Sequence, residues 1–307
     1  GVVYEVALFT NLSQDHLDFH PTMRDYFLTK ASLFTPERAR QGVVCVDDEW
    51  GVELAALASV PVVTVSATGH PADYRVDVDA ADPAAFTVDG PGVRLALRSA
   101  LPGAFNVVNT AMAALALLCL GTDQADVERA LAADPHVPGR MERVTVEGSD
   151  DLPLVVVDYA HTPDAVAAAL RALRPATTGR LVVVLGAGGD RDRGKRAAMG
   201  RAAAEHADEV FVTDDNPRSE DPAAIRAAIL EGARSAGTPA VLHDVAGRGS
   251  AIRAAVARGH AAGPGSVVAV VGKGHETGQE VAGTVHPFDD RDEAAAALRS
   301  TTAGGPQ

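Results

Sequence analysis

The sequence predicts an α/β protein whose second half is a doubly wound parallel sheet. Three observations predict it. From Leu154 onward, strand-like and helix-like segments alternate strictly. The strand-like segments are Val-rich and apolar, as expected of strands covered by helices on both faces. Apolar residues make up 47 % of the 307 residues and aromatics only 4 %, so the core is expected to be Ala, Val and Leu.

The length suits two domains, expected as residues 1–143 and 144–307. The first opens with a strand (Val6–Thr10), a polar turn (Asn11–His20) and a helix (Thr22–Phe34). A strand (Gly42–Val46), a helix (Glu49–Leu57) and a strand (Val60–Val65) follow. Residues 73–98 alternate and carry Gly and Pro, which predicts antiparallel strands and turns. Helices at Asn106–Cys119 and Gln124–Ala132 close this part, and Asp134–Arg140 reads as a linker. In the second part, strands are expected at Leu154–Asp158, Leu181–Leu185, Glu209–Thr213, Ala240–His243 and Val267–Val271. Helices between them are expected at Pro163–Arg174, Lys195–His206, Pro222–Ser235 and Arg248–Ala257. The tail from Thr301 is small and polar and is expected to fray.

Composition removes several function classes. A net charge of −14 argues against a general nucleic-acid binder, which would show a basic face. The longest apolar run, Ala111–Leu120, is too short to span a bilayer, and no signal peptide opens the sequence. Cys45 and Cys119 lie in apolar stretches and read as core thiols in a reducing compartment. A cytoplasmic location follows, with oligomeric state left open and a monomer as the working expectation. Residue 1 is Gly and the chain begins directly in a strand, so an N-terminal portion is expected to be missing.

Only three of the 27 basic residues are lysines: Lys30, Lys195 and Lys273. Arginine cannot readily supply a neutral amine or a compact ammonium, so a chain this poor in lysine can reserve lysine for chemistry. On a helix, Lys30 has Tyr26, Phe27, Leu33 and Phe34 on its own face. Burial there would disfavour its charged form, and a neutral amine can take up carbon dioxide as a metal-binding carbamate. Equally, the side chain can snorkel to solvent. Asp15, His16, Asp18 and His20 form an acid/imidazole cluster suited to a divalent metal, or simply a turn.

Four polar segments follow predicted strands of the second part: Asp158–His161, Gly186–Arg196, Asp214–Arg218 and Gly272–Glu276. Ligands collect at the carboxyl ends of strands in such sheets, so these segments mark one site. Gly189–Lys195 fits G-x-x-x-x-G-K, but Arg196 stands where a phosphate loop needs Ser or Thr. A basic loop of this kind is better suited to a carboxylate or a nucleotide. In Asp214-Asp215-Asn216-Pro217-Arg218, Pro217 stiffens the backbone and Arg218 can fork onto a carboxylate, while Asp215 and Asn216 can hold an amine. A capped strand-to-helix turn would use the same residues. Asn106 and Asn109 begin an Ala-rich helix, as a cap or as amide contacts to a base, and Asp158 could contact ribose or metal.

Taken together, the chain resembles the Mur ligase family. The matching segments are T-N-L-S-Q-D-H-L-D-F-H, Y-F-L-T-K-A-S-L-F, G-A-F-N-V-V-N-T-A-M-A-A, P-G-R-M-E-R-V, V-D-Y-A-H-T-P, G-D-R-D-R-G-K-R, D-D-N-P-R and G-K-G-H-E, in the family's order over nearly the whole length. The resemblance implies part of a central ATPase domain followed by a Rossmann-like C-terminal domain. It implies ATP and Mg2+ as cofactors and an acyl phosphate route to a peptide bond. The D-N-P-R segment resembles that of members adding meso-diaminopimelate to a UDP-linked muramoyl dipeptide in peptidoglycan synthesis. By matching position, Lys30 would be the carbamylated lysine on magnesium, with His16 at a second metal position. Asn106, Asn109, Arg140 and Asp158 would contact ATP. Arg191, Asp215, Asn216, Pro217, Arg218, Gly272 and Glu276 would hold diaminopimelate. That ligand carries one carboxylate more than lysine, which Arg218 is suited to grip, and such polar selection can reach on the order of 10⁴.

The family's P-loop and UDP-binding domain are not among the 307 residues, so these residues alone are expected not to turn over ATP. Other readings are a lysine-adding or folylpolyglutamate-type ligase, a P-loop nucleotide kinase using Gly189–Lys195, and a binding module without catalysis.

Overall fold

The computed structural model describes residues 1–133, 137–148 and 152–303. The first three linker residues expected, Asp134 to His136, and the tail after Ala303 lie outside them. The chain divides into two compact units, Gly1–Pro135 and His136–Gln307.

The first unit runs β1 (Tyr4–Phe9), α1 (Met23–Ala31), β2 (Ala39–Cys45), α2 (Glu49–Leu57), β3 (Val62–Ser66), β4 (Tyr74–Val78), β5 (Ala85–Gly90), β6 (Val93–Arg98), α3 (Ala104–Cys119) and α4 (Gln124–Ala132). Its six strands lie side by side in chain order. The β1–β4 pairings are parallel and the β4–β6 pairings antiparallel. Asp48 caps α2 by accepting the Gly51 N–H at 2.7 Å, which satisfies an orphan donor of the first turn. One core joins Val43, Val65, Val88 and Leu95 to Val107, Met112 and Leu115 of α3. Burial in this core pushes the Cys45 thiol up to about 12, so it stays protonated and inert. An apolar edge is exposed at β1: Val2, Val3, Tyr4 and Leu8 all face solvent.

The second unit runs β7 (Glu142–Val144), β8 (Leu154–Asp158), α5 (Pro163–Leu173), β9 (Leu181–Leu185), α6 (Lys195–His206), β10 (Glu209–Val212), α7 (Pro222–Ser235), β11 (Val241–Asp244), α8 (Arg248–Ala261), β12 (Val267–Val271), β13 (Gly278–Val281), β14 (Thr284–Pro287) and α9 (Asp290–Ala303). The sheet order is β11-β10-β9-β12-β8-β7. All pairings are parallel except β7 with β8. Every residue of β9 and β12 is buried, as the Val-rich runs predict for strands covered on both faces. Thr162 caps α5 and Pro163 occupies its first position, where a missing N–H costs nothing.

The expected division after Arg143 differs from the compact units, because Glu142–Val144 pairs with β8 of the second sheet. Four of these second-unit elements were not expected: β7, the two strands of the β13–β14 hairpin, and α9. Thr301, expected to fray, lies within α9.

Candidate functional site

In the first unit, β1 delivers the chain into a polar turn beside α1. A cavity of about 480 Å³ forms there, with Asn11, His16, Tyr26, Lys30, Ser32 and Arg38 among its lining. His16 takes a left-handed backbone, φ 55°, and its carbonyl accepts the N–H groups of Phe19 and His20 at 3.0 and 2.9 Å. The Tyr26 ring carries the Lys30 Nζ 4.8 Å from its centroid, and His20 stacks on it at 5.0 Å. His16 and Lys30 therefore share one cavity wall.

Of the two alternatives for Lys30, burial and snorkelling, the structure shows the second: the residue is exposed. The helix ends at Ala31, not Phe34, and residues 32–34 continue as tighter turns, with the Leu33 N–H donating to the Lys30 carbonyl at 3.1 Å. Phe27 is the fully buried residue of this helix, between Phe9 and Trp50, with Met23, Tyr26 and Ala31 packed partly buried against the same core. Among the described residues no three His, Cys, Asp or Glu side chains gather to hold a metal ion. His16 Nε2, 3.5 Å from Asp15 Oδ2, is the one imidazole on the cavity wall. A carbamate on Lys30 would add the anionic oxygens that a hard cation prefers, so the pair fits magnesium only with Lys30 so modified.

Asn106 does not cap α3. Gly103 is the cap residue, at φ 102°, and Asn106 is buried with its Nδ2 donating to the Pro102 carbonyl at 2.8 Å. Asn109, one turn on, is exposed.

In the second unit, four adjacent strands end at the expected segments: Asp158 closes β8, Gly186 follows β9, Thr213 follows β10 and Gly272 follows β12. The buried Asp158 carboxylate accepts the Met141 and Ala160 N–H groups, each at 2.8 Å. Burial still raises its pKa above the ordinary carboxyl range, against those bonds and nearby Arg140. The Arg140 guanidinium lies 4.7 Å over the Tyr159 ring, which also meets His161 and His275 at 4.6 and 5.3 Å. This juxtaposition needs two glycines. A Cβ on Gly139 would stand 2.1 Å from the His275 nitrogen, and one on Gly274 would stand 2.7 Å from the Gly139 carbonyl oxygen.

The D-D-N-P-R and G-D-R-D-R-G-K-R loops lock together. The Gly189 N–H donates to the Asn216 carbonyl at 2.8 Å, and Asp190 accepts both the Ser219 N–H and hydroxyl. Arg196, whose side chain is only 5 % exposed, forks onto Glu220 at 3.1 and 2.8 Å. The bonds from Arg196 hold the Glu220 carboxyl down to about 2. This is the physical role of the residue that breaks the phosphate-loop pattern. Arg191 is exposed near Gly188, the Arg218 guanidinium lies beside the same glycine but is partly buried, and Pro217 is buried.

The structure brings Asp215, Asn216, Gly272 and Glu276 into contact. Asn216 Nδ2 donates to Glu276 Oε2 at 3.0 Å, and a Cβ on Gly272 would lie 2.9 Å from Asp215 Oδ2. Arg218 Nε stands 3.3 Å from Glu280 Oε2. The site therefore mixes guanidinium and carboxylate groups at one sheet edge, as a zwitterionic ligand requires.

Sequence reading missed the supports beneath. Fully buried Arg248 forks onto fully buried Asp290 at 2.7 Å through both Nε and Nη2. Its Nη1 makes no hydrogen bond among the described residues and lies 3.8 Å from Asp215 Oδ2. These partners are 42 and 33 residues away, and no local pattern signals them. The spacing of Lys273 and Glu276 in G-K-G-H-E was a usable signal, since i,i+3 partners can meet.

Residues 1–117 match the Mur ligase middle domain, and residues 139–274 match the Mur ligase, glutamate ligase domain. The chain is 53 % identical to a UDP-N-acetylmuramoyl-L-alanyl-D-glutamate–2,6-diaminopimelate ligase of Streptomyces coelicolor, over 97 % of this chain and 59 % of that protein. It is 46 % identical to the protein of the same name from Gloeobacter violaceus, over 99 % and 61 %. Among solved structures, one of a UDP-N-acetylmuramoyl-L-alanyl-D-glutamate–2,6-diaminopimelate ligase superposes with a TM-score of 0.57 at 36 % identity, covering 97 % of this chain and 61 % of that one. A Mycobacterium tuberculosis folylpolyglutamate synthase reaches 0.70 at 22 % identity, covering 98 % and 64 %, a likeness of fold alone. The chain thus spans about three fifths of the length of the curated relatives it matches. On both domain matches and these relatives, the chain belongs to the Mur ligase family.

Proposed function

We propose that this chain serves an ATP-dependent peptide ligase that adds meso-2,6-diaminopimelate to UDP-N-acetylmuramoyl-L-alanyl-D-glutamate in cytoplasmic peptidoglycan synthesis. The observation that carries the reading is the D-D-N-P-R loop, where Arg218 shares one sheet edge with the carboxylates of Asp215 and Glu276. The names of the relatives support it.

ATP with magnesium, when bound, would supply its γ-phosphoryl group to the dipeptide's free carboxylate, the bond to ADP breaking as the acyl phosphate forms. The incoming neutral amine would then attack the acyl carbon, the bond to phosphate would break, and phosphate and the amine's proton would leave as the amide forms. Arg218 and Arg191 are assigned to the ligand's carboxylates, and Glu276, Asp215 and Asn216 to its ammonium end, with Gly272 and Pro217 shaping the wall. Arg140 and Asp158, on either side of Tyr159, are assigned to the nucleotide. Asn109, exposed on α3, is a further nucleotide contact, whereas the amide of Asn106 is committed to Pro102. Lys30, as a carbamate, and His16 are assigned to magnesium.

Isothermal titration of the 307-residue chain with meso-diaminopimelate and with L-lysine tests this. Saturable binding of the first, with the second at least about a hundredfold weaker, is expected from a polar partner made or left unpaired. Equal affinity for both would point to a lysine-adding ligase, and binding of neither would remove the proposal.

A further inference from the structure

Lys273 has no place in the ligand assignments above, yet it is fully buried, while Lys30 is exposed. A buried ammonium is costly unless paired and hydrogen-bonded. Lys273 Nζ donates to Asn216 Oδ1 at 3.1 Å and to Glu276 Oε2 at 3.0 Å. Those two acceptors are also joined to each other, Asn216 Nδ2 donating to the same Glu276 oxygen at 3.0 Å.

The triangle removes two freedoms. Asn216 Oδ1 also accepts the Glu280 N–H at 2.9 Å. With two donors on its oxygen, the amide cannot flip, and its Nδ2 must face Glu276. Glu276 Oε2 in turn has two donors, and its Oε1 has none among the described residues. The Glu276 side chain is 35 % exposed, so a ligand can reach it. Lys273 itself, at 0 % exposure, touches no solvent and can touch no ligand without rearrangement.

We propose that Lys273 is the positioning residue of the amino-acid pocket, holding Asn216 and Glu276 so that Glu276 Oε1 meets the ammonium of an amino-acid ligand. The inference rests on the diaminopimelate reading of this site. Lys273 acts wholly through its two partners.

The test is a double-mutant cycle in the 307-residue chain with meso-diaminopimelate as probe, read by titration calorimetry, with thermal melts to verify folding. Lys273→Met and Glu276→Gln are each expected to weaken binding about tenfold, the coupling typical of residues in one network. The double variant is expected to bind no more weakly than Glu276→Gln alone, because Lys273 has nothing left to position. Equal losses from Lys273→Met in both backgrounds, or no loss at all, overturn the inference. If Lys273→Met does not melt cooperatively, Lys273→Gln, whose shorter side chain withdraws the donor from Asn216 and Glu276, takes its place in the cycle with the same outcomes. Wild-type chain that binds no meso-diaminopimelate removes the functional reading and this inference together. Wild-type binding that is lost in Arg218→Ala, with an additive cycle, removes the inference alone.

Discussion

Arg218 Nη1 donates to the Gly189 carbonyl at 2.7 Å, and this bond ties the two polar loops of the second unit to each other. Arg218 holds a left-handed backbone, φ 52°, uncommon for a residue with a side chain. The β13–β14 hairpin fixes it there. Arg218 N–H donates to the Glu280 carbonyl at 3.0 Å, and Ala282 N–H donates to the Arg218 carbonyl at 2.7 Å. A guanidinium bonded at Nη1, facing Glu280 at Nε and pinned at its backbone is preorganised to meet an anion with little further ordering.

The Arg196–Glu220 pair makes stability pH-dependent. The Glu220 carboxyl is lowered on folding, from 4.5 to about 2. Its contribution is therefore complete above pH 4.5 and is lost as pH falls toward 2. Glu220→Gln leaves Arg196 buried beside a neutral amide. At neutral pH it is expected to cost about 3 kcal/mol, the low end for breaking a buried pair. In urea unfolding across that range, the gap between wild type and variant narrows as the solution is acidified. A gap independent of pH contradicts the assignment.

Gly272 stands at φ 119°, and a Cβ there would lie 2.9 Å from Asp215 Oδ2. Gly272→Ala is expected to cost about 1–3 kcal/mol of backbone strain. It should also displace Asp215 and weaken binding of meso-diaminopimelate. A lower thermal midpoint together with lower affinity supports the placement, and an unchanged affinity counts against it.

Asp158 is the acceptor for two backbone donors at the end of β8. Asp158→Ala leaves the Met141 and Ala160 N–H groups unpaired and is expected to cost about 2–3 kcal/mol, near 1–1.5 for each bond. The urea midpoint should drop at unchanged slope. A smaller loss, within about 0.5 kcal/mol, is the behaviour of an ordinary surface site.

Lys30 and His16 share a cavity wall, but an amine brings no anionic oxygen to magnesium. Chain equilibrated with isotopically labelled bicarbonate is expected to show a carbamate carbon resonance that Lys30→Met abolishes. Labelled wild type without that resonance contradicts the carbamate assignment.

Much of the fold was legible because its strands are chemically uniform. Leu154–Asp158, Leu181–Leu185 and Val267–Val271 read as buried strands and fold as such, within one sheet. The short β7 was not legible: Glu142-Arg143-Val144 carries two charges and forms only by pairing with β8. The β13–β14 hairpin has mixed residues, half-buried in β13 and exposed in β14, and takes its meaning from the Arg218 backbone it braces. For the candidate site, local spacing put the polar segments at strand ends but could not orient them. Helical spacing placed Tyr26 and Phe27 beside Lys30 without revealing that the helix stops at Ala31. The buried Arg248–Asp290 and Lys273–Asn216 contacts join residues 42 and 57 apart and belong to the tertiary fold.

On the proposed reading, Arg218 selects a ligand by its additional carboxylate. The most direct measurement is the ratio of affinities for meso-diaminopimelate and L-lysine, taken in wild type and in Arg218→Ala. The predicted result is a large preference in wild type that collapses toward unity in the variant, through loss of diaminopimelate binding with lysine binding little changed. A variant that keeps the wild-type ratio, or that loses both ligands equally, contradicts the account.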